Sequence, residues 1–153
     1  AQLFVAAIAG LLLKISFSGA ASSIALGTPM LGNDVLLLNG ILVEAVLTFF
    51  LVFTIFGVAV DKRTPTGFYG LAIGLVLTFD ILAGGVLTGA AMNPARAFGP
   101  ALASGFWENH AVYWIGPIIG SIIASLVYYY IFLEREIKRE ASKIGKIKIK
   151  LDK

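Results

Sequence analysis

Cysteine is absent from the 153 residues and histidine occurs once. A disulfide framework and thiolate-ligated metals are thereby excluded, and the lone His110 cannot assemble an imidazole cluster, so no metal and no cofactor are expected. Charge is scarce too: 14% of the residues are Asp, Glu, Lys or Arg, against about 25% in soluble domains. What fills the space is apolar, with 58% hydrophobic residues and a mean hydropathy of +0.90. A chain so poor in polar groups cannot cover a water-facing surface, and it reads as an integral membrane protein. No nucleophile-base constellation stands out, so an enzyme is not expected, and a net charge of +3 offers little to nucleic acid.

Apolar runs at 1–17, 39–60, 67–88 and 111–133 predict membrane segments, the first of them short. Ala1 opens inside an apolar run, with neither an initiator Met nor a basic stretch before it, which predicts a chain starting in mid-fold rather than a signal peptide. Residues 134–153 hold eight of the 12 Lys/Arg. The positive-inside rule therefore places this tail, and the Asp61-Lys62-Arg63 link, in the cytoplasm, with loops 18–38 and 89–110 outside. The chain divides accordingly into a membrane unit, 1–133, and a basic tail, 134–153, whose alternating lysines read as a disordered arm.

Several smaller expectations follow from local pattern. Residues 18–38 form a long outer loop crossing the mouth. Lys14 can snorkel at an outer helix end, Gly70 with Gly74 and Gly116 with Gly120 and Ala124 allow close helix contact, and Trp107, Tyr113 and Trp114 outside and Tyr128–Tyr130 inside serve as interfacial anchors. His110 reads as an ordinary outer-loop histidine.

Thr88-Gly89-Ala90-Ala91-Met92-Asn93-Pro94-Ala95-Arg96-Ala97-Phe98-Gly99-Pro100 stands between two apolar segments. Asparagine is a strong N-cap and proline suits the first helical turn, so Asn93-Pro94 starts a helix. It runs from 94 to 104, about 16 Å at 1.5 Å per residue, half the hydrocarbon thickness. Broken helices at membrane depth occur where their free backbone groups line a cavity, and an intramembrane arginine marks a pore or binding site. Asn93 offers two amide donors that would orient a passing water, while the helix dipole and Arg96 repel cations and protons.

This thirteen-residue stretch resembles the second signature of the aquaporin and glycerol-facilitator family, in which Asn93, Pro94 and Ala95 are the pore motif. Gln2, Glu44 and Gly116-Pro117 resemble residues of that family's third, fourth and sixth helices. The resemblance implies an all-α membrane fold, a right-handed helical bundle with inverted repeats. Helices three to six and the second half-helix are present in this chain, as the C-terminal portion of a prokaryotic or archaeal-type protein. It further implies a selectivity filter at Arg96, Ile81 and Ala90, with Glu44 and Gln2 bracing the irregular loop by hydrogen bonds. The expected function is a passive channel for water that excludes protons and ions, in a multi-pass protein of the cell membrane that meets the lipid bilayer and forms a homotetramer.

Isoleucine where many water channels carry histidine leaves passage of small neutral solutes open. Ala97, Ala101 and Tyr113-Trp114 favour water over glycerol. A glycerol or urea facilitator is the alternative, and a secondary transporter using Asp80 and Glu44 as coupling carboxylates a more distant one. Asp80, inside the third segment, is expected either to hydrogen-bond a neighbouring helix or to line the pore as a counter-ion to Arg96.

Overall fold

A computed structural model describes residues 1–17, 19, 22–65, 67–135 and 138–139. Residues 140–153, on which most of the reading of the basic tail falls, lie outside the described residues. All regular structure among the described residues is helical. The helices are α1 (Gln2–Ser16), α2 (Leu37–Ile55), α3 (Tyr69–Thr88), α4 (Pro94–Ser104) and α5 (Val112–Tyr128). Both α2 and α5 continue through a π-helical turn, Phe56–Val60 and Tyr129–Leu133 respectively. With those turns, three helices are long and apolar enough to cross a membrane: Leu37–Val60, Tyr69–Thr88 and Val112–Leu133. At 15 residues α1 falls short of the about 20 needed.

The helices form two packed groups. In the first, α2 lies against both α5 and α3, and the α2–α5 contact is backbone-close. A Cβ on Gly120 would overlap the carbonyl of Ala45, and one on Gly116 would come within 2.8 Å of the Ile41 carbonyl oxygen. Small residues at one helical spacing let these helices touch, as in other membrane bundles. Around Gly70 and Gly74 no neighbouring atom of the described residues comes within 4 Å of where their side chains would stand. The buried positions of α3, namely Asp80, Gly84 and Thr88, all lie in its second half, beyond both glycines.

In the second group α1 packs on the half-helix α4. Here Gly10 and Gly99 face each other so closely that a side chain on either would overlap the opposite backbone. Lys14, exposed near the end of α1, donates from Nζ to the Ala103 carbonyl at 2.8 Å, satisfying one of the free acceptors at the end of α4. The described residues between 22 and 36 are largely irregular as expected, with one distorted 3₁₀ stretch, Ser22–Gly27. They hold the two groups together: the Gly32 amide donates to the Leu87 carbonyl, Thr28 pairs with Ser104 at 3.1 Å, and Leu26 packs on Ala103.

At the opposite end the Asp61–Arg63 link is pinned down. Asp61 accepts from the backbone and guanidinium of Arg63 and from the Tyr128 hydroxyl at 2.8 Å. These donors hold its carboxyl well below the usual carboxylate range. Tyr128 is buried by this contact, in place of the interfacial exposure its position suggests.

Candidate functional site

The chain must turn back sharply between α3 and α4, and Gly89 allows it, ending α3 with a left-handed φ of 82°. Ala90 and Met92 adopt φ of 45° and 52°, a region that costs a residue bearing a Cβ about 1–2 kcal/mol. Strain of that kind persists only where surrounding contacts impose it. Here they come from Glu44. This residue is fully buried in α2, and its Oε1 accepts from Thr88 Oγ1 at 2.7 Å and the Ala91 amide at 2.9 Å, while Oε2 accepts from the Met92 amide at 2.7 Å. Tyr113 Oη of α5 donates to the Thr88 carbonyl at 2.9 Å. Two helices thus clamp one irregular loop through a single carboxylate and a phenol.

Below the loop, Asn93 Oδ1 accepts from the amides of Ala95 and Arg96 at 2.9 and 3.3 Å, capping α4 with Pro94 at its first position. The oxygen is thereby committed to the helix. The Asn93 amide nitrogen has no protein partner among the described residues, and Asn93 is exposed, so its two N–H donors face outward at the positive end of α4. Arg96, one turn along, is exposed on the same side. Asn93, Ala95 and Arg96 border an open groove whose other wall is Gln2, Ala6 and Ala9 of α1.

The remaining residues singled out from the sequence fall in different places. Gln2 makes no hydrogen bond to the loop that Glu44 grips. It stands beside Asn93 and Arg96, because α1 packs on α4 and not on α2. Ile81 is 51% exposed on α3, away from the seam with α2. Ala90 is buried against Leu47 and Met92, so its methyl group belongs to the packing behind the loop. Asp80 is buried, and its Oδ2 has no hydrogen-bond partner among the described residues. His110 is enclosed by Trp107, Tyr113 and Trp114, and burial lowers its basicity. Tyr113, read as an anchor, is fully buried.

Sequence reasoning missed Thr88 and the role of the Tyr113 hydroxyl. The available signal was spacing: Asp80, Gly84 and Thr88 recur every fourth residue, one polar or small stripe on an otherwise apolar helix.

A family model described as "Major intrinsic protein" matches residues 1–128. Aquaporin TIP1-2 of Zea mays is 48% identical over 135 residues, which cover 87% of this chain and 52% of the relative. Aquaporin TIP4-4 of Zea mays is 48% identical over 136 residues with the same coverage. Aquaporin-4 of Rattus norvegicus is 50% identical over 111 residues, 69% of this chain and 34% of that protein. The chain spans about half the length of the first two relatives.

Proposed function

The chain belongs to the major intrinsic protein family, and from that premise we propose that it supplies one wall of a passive channel for water. The observation that carries this reading is the clamp on the loop before α4. Glu44 fixes the amides of Ala91 and Met92, and this holds Asn93 at the head of a half-helix with its N–H donors turned to the open side. A water passing there accepts from Asn93 through its oxygen. Its hydrogens then point away from the positive helix end, and it cannot relay a proton past that point.

In this reading Asn93, Pro94 and Ala95 are the pore motif. Arg96 and Ile81 form two faces of the filter, and Ala90 sets its shape from behind. A fixed guanidinium repels cations, and the apolar face of Ile81 binds water weakly. The family similarity supports transport without covalent chemistry, in a homotetramer. The charge distribution supports residues 1–133 as the channel unit in a cell membrane, with the tail 134–153 in the cytoplasm.

An apolar, exposed Ile81 at the filter position favours a second reading, the passage of small neutral solutes such as glycerol or urea. Both uses are tested in proteoliposomes of the complete protein. Shrinkage under an osmotic gradient alone, with no accompanying proton conductance, is the expected result. Flux that requires a sodium or proton gradient would identify a secondary transporter and overturn the channel.

A further inference from the structure

The half-helix α4 carries Asn93 and Arg96, yet its own buried face is smooth. The buried residues on it are Ala95, Ala97, Gly99, Ala101 and Ala103. On α1, packed along it, the least exposed residues are Ala6, Ala7 and Gly10. Small residues on both sides let the two backbones meet at Gly10 and Gly99, and they leave few side chains to interlock against sliding along the seam. α4 makes no contact with α3 among the described residues, so the place of Arg96 relative to Ile81 depends on what holds the ends of α4.

The inner end is fixed by the grip of Glu44 on the loop before it. At the outer end α4 stops at a left-handed Gly105, and its last turn has no basic side chain of its own to meet the free carbonyls. Lys14 supplies one from α1, through the bond from its Nζ to the Ala103 carbonyl, 89 positions away in sequence. Lys14 follows Gly10 by one helical turn and Ala103 follows Gly99 by one, so the bond lies on the same seam, one turn beyond the backbone contact. It grips main chain, which no change of rotamer on α4 can release. The other outer contacts, Thr28 with Ser104 and Leu26 on Ala103, come from an irregular stretch in which Ala25 and Leu26 hold φ of 45° and 55°. Of these anchors, Lys14 alone stands on a regular helix.

We propose that Lys14 is a positioning residue for selectivity: by tying the outer end of α4 to α1 it fixes how far along its axis the half-helix stands, and with it where the Arg96 guanidinium lies relative to Ile81. The ammonium also sits at the negative pole of the α4 dipole, which adds to the hold. Without the bond α4 shifts on its smooth seam, Arg96 moves with it, and the opening admits solutes larger than water.

The proposal rests on the channel reading, and two readouts keep them apart. In the complete protein in proteoliposomes, spin labels at Leu82→Cys on α3 and Leu102→Cys on α4, both exposed positions, report the distance between the two helices by pulsed electron resonance, in a background free of other cysteines. Glycerol and water permeabilities are measured on the unlabelled proteins. Lys14→Met keeps an apolar stem and removes the donor. It is expected to enlarge the displaced part of the distance distribution about fivefold, the factor that one hydrogen bond of ordinary net strength carries, and to raise the glycerol-to-water permeability ratio with it. Lys14→Arg keeps a cationic donor and is expected to restore both. An unchanged distance distribution in Lys14→Met, a ratio that stays put while only thermal stability falls, or equal changes in Lys14→Arg each overturns the proposal. Should Lys14→Met fail to fold, Lys14→Gln, which also removes the charge, carries the same expectations. Absence of water flux from the wild type would instead overturn the channel reading, and the label distances would still decide whether Lys14 holds α4.

Discussion

Replacing Glu44 by glutamine takes one acceptor away from a pocket that presents three donors. The new side chain keeps a single oxygen and can be placed in two ways. With that oxygen in the Oε1 position, Thr88 and Ala91 keep their acceptor, and the amide NH₂ confronts the Met92 N–H where an acceptor stood at 2.7 Å. The opposite placement strands two donors and is worse. The cheaper arrangement still loses one charge-assisted bond and leaves a fully buried N–H unsatisfied, at a cost of about 2–4 kcal/mol. The equilibrium between a held and a released loop then shifts by about 30- to 700-fold. Because Ala90 and Met92 sit in left-handed conformations, the freed loop relaxes away from the geometry that places Asn93. Denaturant titration of the complete protein in detergent measures the stability, and stopped-flow shrinkage of proteoliposomes measures the flux. Glu44→Gln is expected to lower both. A stability change under about 0.5 kcal/mol with unaltered flux would refute the claim that this carboxylate holds the loop.

Arg96→Ala removes a fixed charge beside Asn93, and leakage of ions or larger solutes should rise; unchanged ion exclusion in a proteoliposome conductance assay would refute a filter role. Ile81→His adds a donor to an apolar face and should narrow passage toward water, so uptake of glycerol or urea relative to water is expected to fall. Equal ratios in both proteins would rule that out. For Asp61, a folded pKa held below the unfolded one contributes stability that is present above the unfolded value and lost as pH falls through the folded value. Asp61→Asn should therefore cost about 1–2 kcal/mol near neutrality, a modest figure because Arg63 is 46% exposed and screened. The gap to wild type should persist in mild acid and close only in strong acid; closure already at about pH 5 would contradict the assignment of Arg63 and Tyr128 as its donors.

Asn93-Pro94 announces α4 through local chemistry alone: a side-chain cap and a ring that suits the first turn, both seen in the structure. Apolar runs likewise announce α2, α3 and α5, because in a membrane a helix must satisfy its own backbone. Partners across the fold were another matter. Lys14, Tyr113 and Tyr128 look like interface residues by position, yet each spends its polar atom on a buried or helix-end group far away in sequence. Gly70 and Gly74 show the reverse case, a spacing that suits close packing where no helix among the described residues arrives.

The sequence by itself determined the membrane class, the helical segments, the half-helix and the family signature, since hydropathy, capping and a contiguous motif are properties of neighbouring residues. That Glu44 braces the loop was already implied by the family signature; tertiary structure decided that it holds Thr88 in the same grip, that Gln2 stands by Asn93 instead, and that Asp80 is left with an unpaired oxygen. Those facts depend on which helix faces come together. A single chain of side chains does not encode them locally, because whether a polar group is satisfied is set by what lies across the seam.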